Sequence, residues 1–230
     1  AMGATVGAPP AVAAEPMTLE QWAGSVVTTY RFMEKGVRPR RLRMMTSTMA
    51  PTIVAGDTVL VDTRPYPIAA LRGEMVTVLV GDNIHVRRVV GLPGDRIALR
   101  GTRPIVDGRE ADWRPEGTIR ADMAGRDTEL RVVAERLPGA RPYRIALETT
   151  ALPEGPSDEF VVPEGRVWLL ADARDRAVDS RASDWGPRPL ADVPGRVFYR
   201  VLPRPEFLVP AETVPGLEVA PVDDTGATGR

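Results

Sequence analysis

Few side chains in this sequence could supply a neutral amine or imidazole as a proton acceptor. Of the 30 basic residues one is a lysine, Lys35, and the sole histidine is His85. A neutral amine or imidazole is the usual proton acceptor beside a nucleophile, so the search for a general base has one candidate of each kind. The chain has no cysteine. Thiol nucleophiles, disulfides and thiolate metal sites are therefore excluded.

The overall composition is that of an ordinary folded domain. The chain has 230 residues, of which 43% are hydrophobic and 27% charged, with a net charge of −1. This balance excludes wholesale disorder and a fibrous chain, and it provides no positive field for nucleic acid. No run of 18 apolar residues occurs, so we predict no transmembrane segment. We expect a soluble protein, with the bacterial cytoplasm as the favoured location, and the sequence leaves the oligomeric state open.

Local patterns divide the chain into four segments. Residues 1–17 are rich in Ala, Gly and Pro and predict a flexible arm. Residues 18–43 predict an amphipathic helix followed by a basic linker, and residues 203–230 an extended arm. Residues 44–202 contain short apolar runs broken by Gly-Asp, Pro-Gly and Asp-Gly turns. This pattern predicts an all-β domain, a Greek-key barrel or sandwich.

Two groups of residues define the predicted helix and linker. The helix is predicted from apolar residues at spacings of three and four, and the linker from a cluster of arginines. The apolar face contains Leu19, Trp22, Val26, Tyr30 and Met33, and the linker contains Arg38, Arg40, Arg41 and Arg43.

Four motifs follow one another in the β segment. They are Thr46-Ser47-Thr48-Met49-Ala50-Pro51-Thr52, Arg72-Gly73-Glu74-Met75-Val76, the run from Val86-Arg87-Arg88 to Pro93-Gly94-Asp95, and a stretch from Val162-Pro163 to Asp179-Ser180-Arg181. In this order they resemble the sequence boxes of bacterial type I signal peptidases, the serine endopeptidases that cut leader peptides from exported proteins. The resemblance covers about residues 42–202 and implies the signal-peptidase-like β fold.

The resemblance places the catalytic positions of that family on substituted residues. The nucleophile falls on Thr48, the oxyanion-stabilising hydroxyl on Thr46 and the lysine base on Arg87. The serine that orients the lysine corresponds to Ala177. A guanidinium stays protonated near neutral pH and is no general base. The resemblance therefore implies a divergent homologue that has lost the serine/lysine dyad and is not expected to cut peptides.

The leading hypothesis is a protein that uses the old cleft for binding, with no cofactor and no metal ion. We expect an extended peptide, or a small molecule, beside the strand from Ile84 to Arg87. By resemblance, Asp179 and Arg181 form a structural ion pair beneath the site. The apolar side chains expected at the cleft are Met44, Met49, Ile84 and Val86, and the supporting residues are Asp179, Ser180 and Arg181.

Two other functions stay open at this point. The first is an active endopeptidase in which His85 serves as the base for Thr48 or Ser47. His85 shares a strand face with Arg87 and lies about 6.6 Å from it along the strand. The second is an enzyme of another reaction class, in which Arg87 is a fixed cation for a carboxylate or enolate and Thr46 and Thr48 are donors.

Overall fold

The structure, a computed structural model, describes residues 18, 32–33, 36, 38–148 and 157–209. These residues form antiparallel β-strands and two short 3-10 helices, which confirms the all-β prediction. The 3-10 helices span Ile68–Leu71 and Leu190–Asp192. The strands are β1 Arg40–Arg43, β2 Thr58–Asp62, β3 Met75–Val80, β4 Asn83–Gly91, β5 Arg96–Arg100, β6 Arg103–Val106, β7 Arg109–Glu110, β8 Asp112–Asp122, β9 Asp127–Arg136, β10 Tyr143–Glu148, β11 Phe160–Val161, β12 Arg166–Leu170, β13 Arg188–Pro189, β14 Gly195–Leu202 and β15 Glu206–Phe207.

The largest sheet has the strand order β1-β2-β14-β3-β4-β12-β13, with β15 paired to β14. Strands β3 and β4 form a hairpin along the whole of β3, with Val80 opposite Asn83 and Met75 opposite Arg88. Strand β12 pairs with β4 from Arg88 onwards, where Leu170 lies opposite it. Among the described residues, no strand therefore lies beside residues 83–87 on the side away from β3. We call this stretch the open edge of β4.

Two smaller sheets complete the domain, with the orders β10-β9-β8 and β11-β5-β6-β7. Strands β8 and β9 form a long hairpin whose last pair is Asp122 opposite Asp127. The residues between them, 123–126, form the tip. Strand β10 is joined to the chain after β12 by a bridge between Ala146 and Ala173. The tip of this hairpin lies at the candidate site described below.

The hydrophobic core beneath the candidate site is formed by short apolar strands that are buried on both faces. All five residues of β2 and residues 167–170 of β12 are buried. Burial of such β-branched and aliphatic side chains is the main force that holds the sheets together. One core cluster contains Met44, Met49, Ile53, Val59, Val61, Met75, Val86, Ala171 and Val197.

The large sheet extends beyond the predicted limits of 44–202. Residues 40–43, which we predicted as a basic linker, form edge strand β1, and β15 adds residues 206–207. The arginines at 40, 41 and 43 are exposed while their backbone pairs with β2. Charged side chains are common on edge strands because they discourage pairing with other chains. Side-chain charge therefore concealed a strand that the backbone forms.

Most of the predicted helix and arms lies outside the described residues, including 1–17, 19–31 and 210–230. Phe32 and Met33 are helical. Met33 was predicted on the apolar face, but it is 61% exposed, whereas Phe32 is fully buried. The ring of Phe32 packs edge to face on Phe198 at 4.9 Å. The prediction was wrong here because tertiary contacts with β14 select the residue one position earlier. In the described part of the chain, no helix is long and apolar enough to cross a membrane.

Candidate functional site

The hydroxyls of Thr46 and Thr48 lie on the connection between β1 and β2. Local backbone hydrogen bonds fold this connection tightly, among them Ala50 N–H to the Ser47 carbonyl at 2.9 Å. Thr46 Oγ1 and Thr48 Oγ1 are 3.2 Å apart and share a hydrogen bond. The carbonyl of Thr48 accepts from the backbone N–H of Ala173 at 3.0 Å. This bond fixes the loop that follows β12 beside the hydroxyl pair.

Arg87 projects from β4 to Thr48, as the resemblance implies. Its Nη1 donates to Val86 O at 2.6 Å and lies 3.4 Å from Thr48 Oγ1. Its Nε and Nη2 both donate to Val178 O, at 3.0 and 2.7 Å. The side chain is 3% exposed. The guanidinium therefore bridges β4 and the loop after β12, and its firm bonds go to carbonyl oxygens.

Electrostatics keep Arg87 charged at neutral pH. Burial lowers the pKa of the Arg87 guanidinium to about 10; the negative charges of Asp179 and Asp172 act in the opposite direction, and the positive charge of Arg181 adds a smaller lowering. A pKa near 10 leaves roughly one molecule in a thousand deprotonated at pH 7. The group next to Thr48 is thus a hydrogen-bond donor and a cation at that pH.

His85 lies beside an aromatic ring. Its imidazole packs edge to face on Trp185 at 5.9 Å, and the Arg87 guanidinium lies 5.4 Å from the same ring. Burial, followed by the charge of Arg87, lowers the pKa of His85 below its usual 6.5. No hydrogen bond within the described chain joins His85 to Thr48 or to Ser47. The Ser47 hydroxyl is buried and accepts from Ala55 N–H at 3.2 Å.

The loop after β12 carries the three predicted supporting residues. Asp179 pairs with Arg181 at 2.8 Å and accepts the backbone N–H of Ala171 at 3.0 Å. The Ser180 hydroxyl accepts the N–H of Leu169 at 3.0 Å. These bonds tie the loop back onto β12. Ala177, at the position of the orienting serine, packs its methyl group against the core cluster of Met44.

A deeper network of buried charges fixes the same loop from below. Glu135 of β9 is fully buried and accepts from Arg174, which is 1% exposed. It also accepts from Trp113 Nε1 at 2.7 Å and Tyr143 Oη at 2.5 Å. A buried carboxylate with this many donors is well satisfied. The network anchors residues 171–181 to the β8–β9–β10 sheet.

A cavity of about 540 Å³ opens beside the hydroxyl pair. One side is the connection carrying Thr46 and Thr48, and the other is the tip of the β8–β9 hairpin. Motif reasoning missed this second side because the hairpin is distant in sequence and has no motif of its own. Besides Thr46, Ser47 and Thr48, the lining residues are Met45, Ala55, Asp122, Met123, Ala124, Gly125, Arg126 and Arg176.

The four predicted apolar residues of the cleft have different environments. Met44, Met49 and Val86 are 6%, 0% and 2% exposed and belong to the core cluster under the site. Ile84 is 48% exposed on the open edge of β4. Met45, the neighbour of Met44, is 81% exposed and lines the cavity. Loop residues lack the strand period of two, so the sequence did not show which methionine faces solvent.

A second cavity, of about 590 Å³, lies where the segment before β3, strand β4 and the turn before β10 meet. Its charged side chains already have partners. Arg88 bonds to Asp172 with Nε–Oδ1 at 2.7 Å, and Arg141 pairs with Glu74 at 3.1 Å. Arg72 similarly pairs with Asp95. Motif residues line both cavities, but only the cavity beside Thr48 is lined by the hydroxyl pair of Thr46 and Thr48, so it is the better candidate site.

The geometry defines a class of protein: an all-β domain with a hydroxyl on the first long connection facing a basic residue of a β-hairpin strand. Comparison with known sequences agrees, since the family described as signal peptidase, peptidase S26, matches residues 28–202. This chain belongs to that family.

Three curated relatives illustrate the similarity. Signal peptidase I of Bacillus caldolyticus is 27% identical over 166 residues, which cover 69% of this chain and 77% of that protein. Signal peptidase IB of Staphylococcus aureus is 26% identical over 161 residues, covering 69% and 75%. Signal peptidase I of Rickettsia prowazekii is 30% identical over 121 residues, covering 49% of this chain and 45% of that protein.

Proposed function

We propose that this chain is a non-proteolytic member of the signal peptidase family that binds an extended peptide in its cleft. The observation that carries the proposal is the contact between Arg87 and Thr48, in which the base position holds a protonated guanidinium bonded to Val86 O and Val178 O. A hydroxyl becomes a nucleophile when an adjacent group takes its proton. Arg87 has no lone pair available for this at neutral pH.

The open edge of β4 supplies the binding surface. Val89 exchanges hydrogen bonds with Gly73 and Glu74 on the β3 side, so its backbone groups point to β3. Backbone groups alternate in direction along a strand, and those of Ile84 and Val86 therefore point to the open edge. Val86 O is already bonded to Arg87. Ile84 N–H, Ile84 C=O and Val86 N–H are the groups that an added strand would pair with.

Apolar side chains surround this edge and favour a peptide as the ligand. Leu79 and Ile84 face each other across the β3–β4 hairpin and are 37% and 48% exposed. Val178 is 55% exposed beside Arg87, and Met45 lies at the cavity. Exposed apolar side chains grouped at a cleft with unpaired backbone are typical of a peptide-binding surface.

The test uses a peptide that spans an Ala-x-Ala leader site and is acetylated and amidated at its ends. We expect saturable binding by isothermal titration calorimetry, and an unchanged peptide mass after prolonged incubation at pH 7. Cleavage that disappears in Thr48→Ala would overturn the proposal in favour of the endopeptidase alternative. Loss of that cleavage in His85→Gln would then identify His85 as the base.

A proline variant tests the location of the peptide. Ile84→Pro removes an N–H that points to the open edge, and proline is tolerated in edge strands at such positions. We expect at least about tenfold weaker binding, as one or two hydrogen bonds are lost. Arg41→Pro is the matched control. Met44 bonds to Gly56 and Asp57, just before β2, so by alternation the N–H of Arg41 points away from β2; β1 is the edge strand of the sheet, separated from β4 by β2, β14 and β3.

A further inference from the structure

One buried arginine in the cleft differs from the others in its partners. The side chains of Arg88 and Arg174 pair with Asp172 and Glu135. Arg87 is equally buried, but it forms no ion pair within the described chain, and its bonds go to two carbonyl oxygens and a hydroxyl. Buried cations are normally paired with an anion because carbonyl dipoles replace only part of their hydration energy.

The nearby carboxylates are already committed to other partners. Asp179 bonds to Arg181 and to the backbone of Ala171, and Asp172 bonds to Arg88. A guanidinium has five N–H groups. Arg87 makes four hydrogen bonds, and the one to Thr48 is long, at 3.4 Å. One N–H of Nη2 therefore has no acceptor among the described residues, and the long bond from Nη1 to Thr48 can be exchanged for one to a ligand.

The cavity that reaches these hydroxyls also has a cationic rim. Arg126 at the tip of the β8–β9 hairpin and Arg176 of the loop after β12 both line it. Arg176 pairs with Glu148, whereas Arg126 has no ion pair with any described residue. The one acidic side chain of the lining, Asp122, accepts the N–H of Gly125. The lining thus favours an anion over a cation or a neutral group.

The open edge of β4 ends beside the same arginine. Residues 83–87 are open, and at Arg88 the edge is closed by Leu170 of β12. A peptide that runs parallel to β4 along this edge arrives with its C-terminal end at Arg87. A chain that continued would have to leave the plane of the sheet at that point. The edge therefore suits a peptide that ends there.

We propose that the cleft recognises the free C-terminal carboxylate of a peptide, which Arg87 binds together with the hydroxyls of Thr46 and Thr48. The proposal rests on the peptide-binding function given above and specifies the end of the ligand. The carboxylate supplies the anion that Arg87 lacks, and the two hydroxyls donate to its oxygens. Arg126, which has no ion pair with any described residue, adds a longer-range attraction to the same charge.

The test compares one acetylated peptide, ending at the second alanine of an Ala-x-Ala sequence, as the free acid and as the amide. We expect the acid to bind the full chain at least about tenfold more tightly, since a charged hydrogen-bonded pair contributes about 1.5 to 3 kcal/mol. In Arg87→Met this ratio should fall to about one. Equal binding of acid and amide to the wild-type chain, with both weakened by Ile84→Pro, would overturn the carboxylate inference alone. Binding of neither peptide would overturn the peptide-binding function itself.

Two further measurements keep the proposal testable if Arg87→Met does not fold or if the site binds a small carboxylate. Thr48→Val removes a donor without touching the bonds of Arg87 to carbonyls, so it should lower the acid-to-amide ratio even if Arg87→Met fails to fold. An unchanged acid-to-amide affinity ratio in Thr48→Val would show that the Thr48 hydroxyl does not bind the carboxylate. N-acetyl-alanine is the control that distinguishes a peptide C-terminus from a small carboxylate as the ligand. If it binds as tightly as the longer acid, the site takes a small carboxylate and the peptide assignment is wrong.

Discussion

Arg87 Nη1 lies 3.4 Å from Thr48 Oγ1, while the same nitrogen lies 2.6 Å from Val86 O. The shorter bond shows that the guanidinium is held mainly by backbone carbonyls and approaches the hydroxyl as a donor. In this geometry the positive charge stabilises negative charge near Thr48 and does not remove its proton. The same atoms that argue against proteolysis therefore favour an anionic ligand.

The first prediction concerns recovery of proteolysis. The triple variant Thr48→Ser, Arg87→Lys and Ala177→Ser should cut a leader peptide with an Ala-x-Ala site, whereas the wild-type chain should not. A buried lysine has a lowered pKa and accepts a proton, and the added hydroxyl at position 177 orients it. Mass spectrometry of the peptide provides the measurement. The same variant with Thr48→Ala is the control, and an inactive triple variant would indicate altered backbone geometry.

The second prediction is a pH dependence of stability. The pKa of His85 is lower in the folded chain than its usual 6.5, because of burial and then the charge of Arg87. As the pH falls below about 6.5, the unfolded chain takes up this proton first, so the free energy of unfolding decreases. Urea titrations between pH 8 and pH 5 should show a shallower decrease for His85→Gln. Parallel profiles for the two proteins would contradict the assignment.

The third prediction tests the buried network under the loop. Glu135→Gln leaves Arg174 as an uncompensated buried cation and should lower the free energy of unfolding by about 3 to 5 kcal/mol. Asp112→Asn is the matched control because Asp112 pairs with Arg136 at the exposed base of the same hairpin. It should leave the denaturation midpoint almost unchanged. Similar denaturation midpoints for both variants would show that the buried network does not stabilise the site.

The fourth prediction tests the attachment of the helical residues to the sheet. Phe32 is fully buried and contacts the rings of Phe198 and Phe207 at 4.9 and 6.2 Å. Phe32→Ala should lower the free energy of unfolding by about 3 to 5 kcal/mol. The adjacent Met33→Ala should have little effect because Met33 is 61% exposed. If thermal unfolding showed that Met33→Ala is the more destabilised variant, the predicted helix face, with Met33 buried, would be correct.

Much of the fold follows from local patterns in the sequence. The apolar runs of β2, β4 and β12, separated by glycine and aspartate turns, are enough to predict strands because each run satisfies a period of two or a fully buried strand. The motif around Thr48 and the run containing Arg87 likewise indicate the family through residue types and spacing alone. Edge strand β1 was not predicted because its exposed arginines give it the composition of a solvated linker, although its backbone pairs with β2.

The sequence by itself determined the all-β class, the signal peptidase motifs and the chemical identity of the residues at 48 and 87. Only the tertiary structure decided that Arg126 lies across the cavity from Thr48, that Arg174 pairs with Glu135, and that Met45 is exposed while Met44 is buried. The physical reason is range. Strand propensity and turn chemistry act between near neighbours, whereas cavities and buried ion pairs form between residues that only the packing of separate sheets brings together.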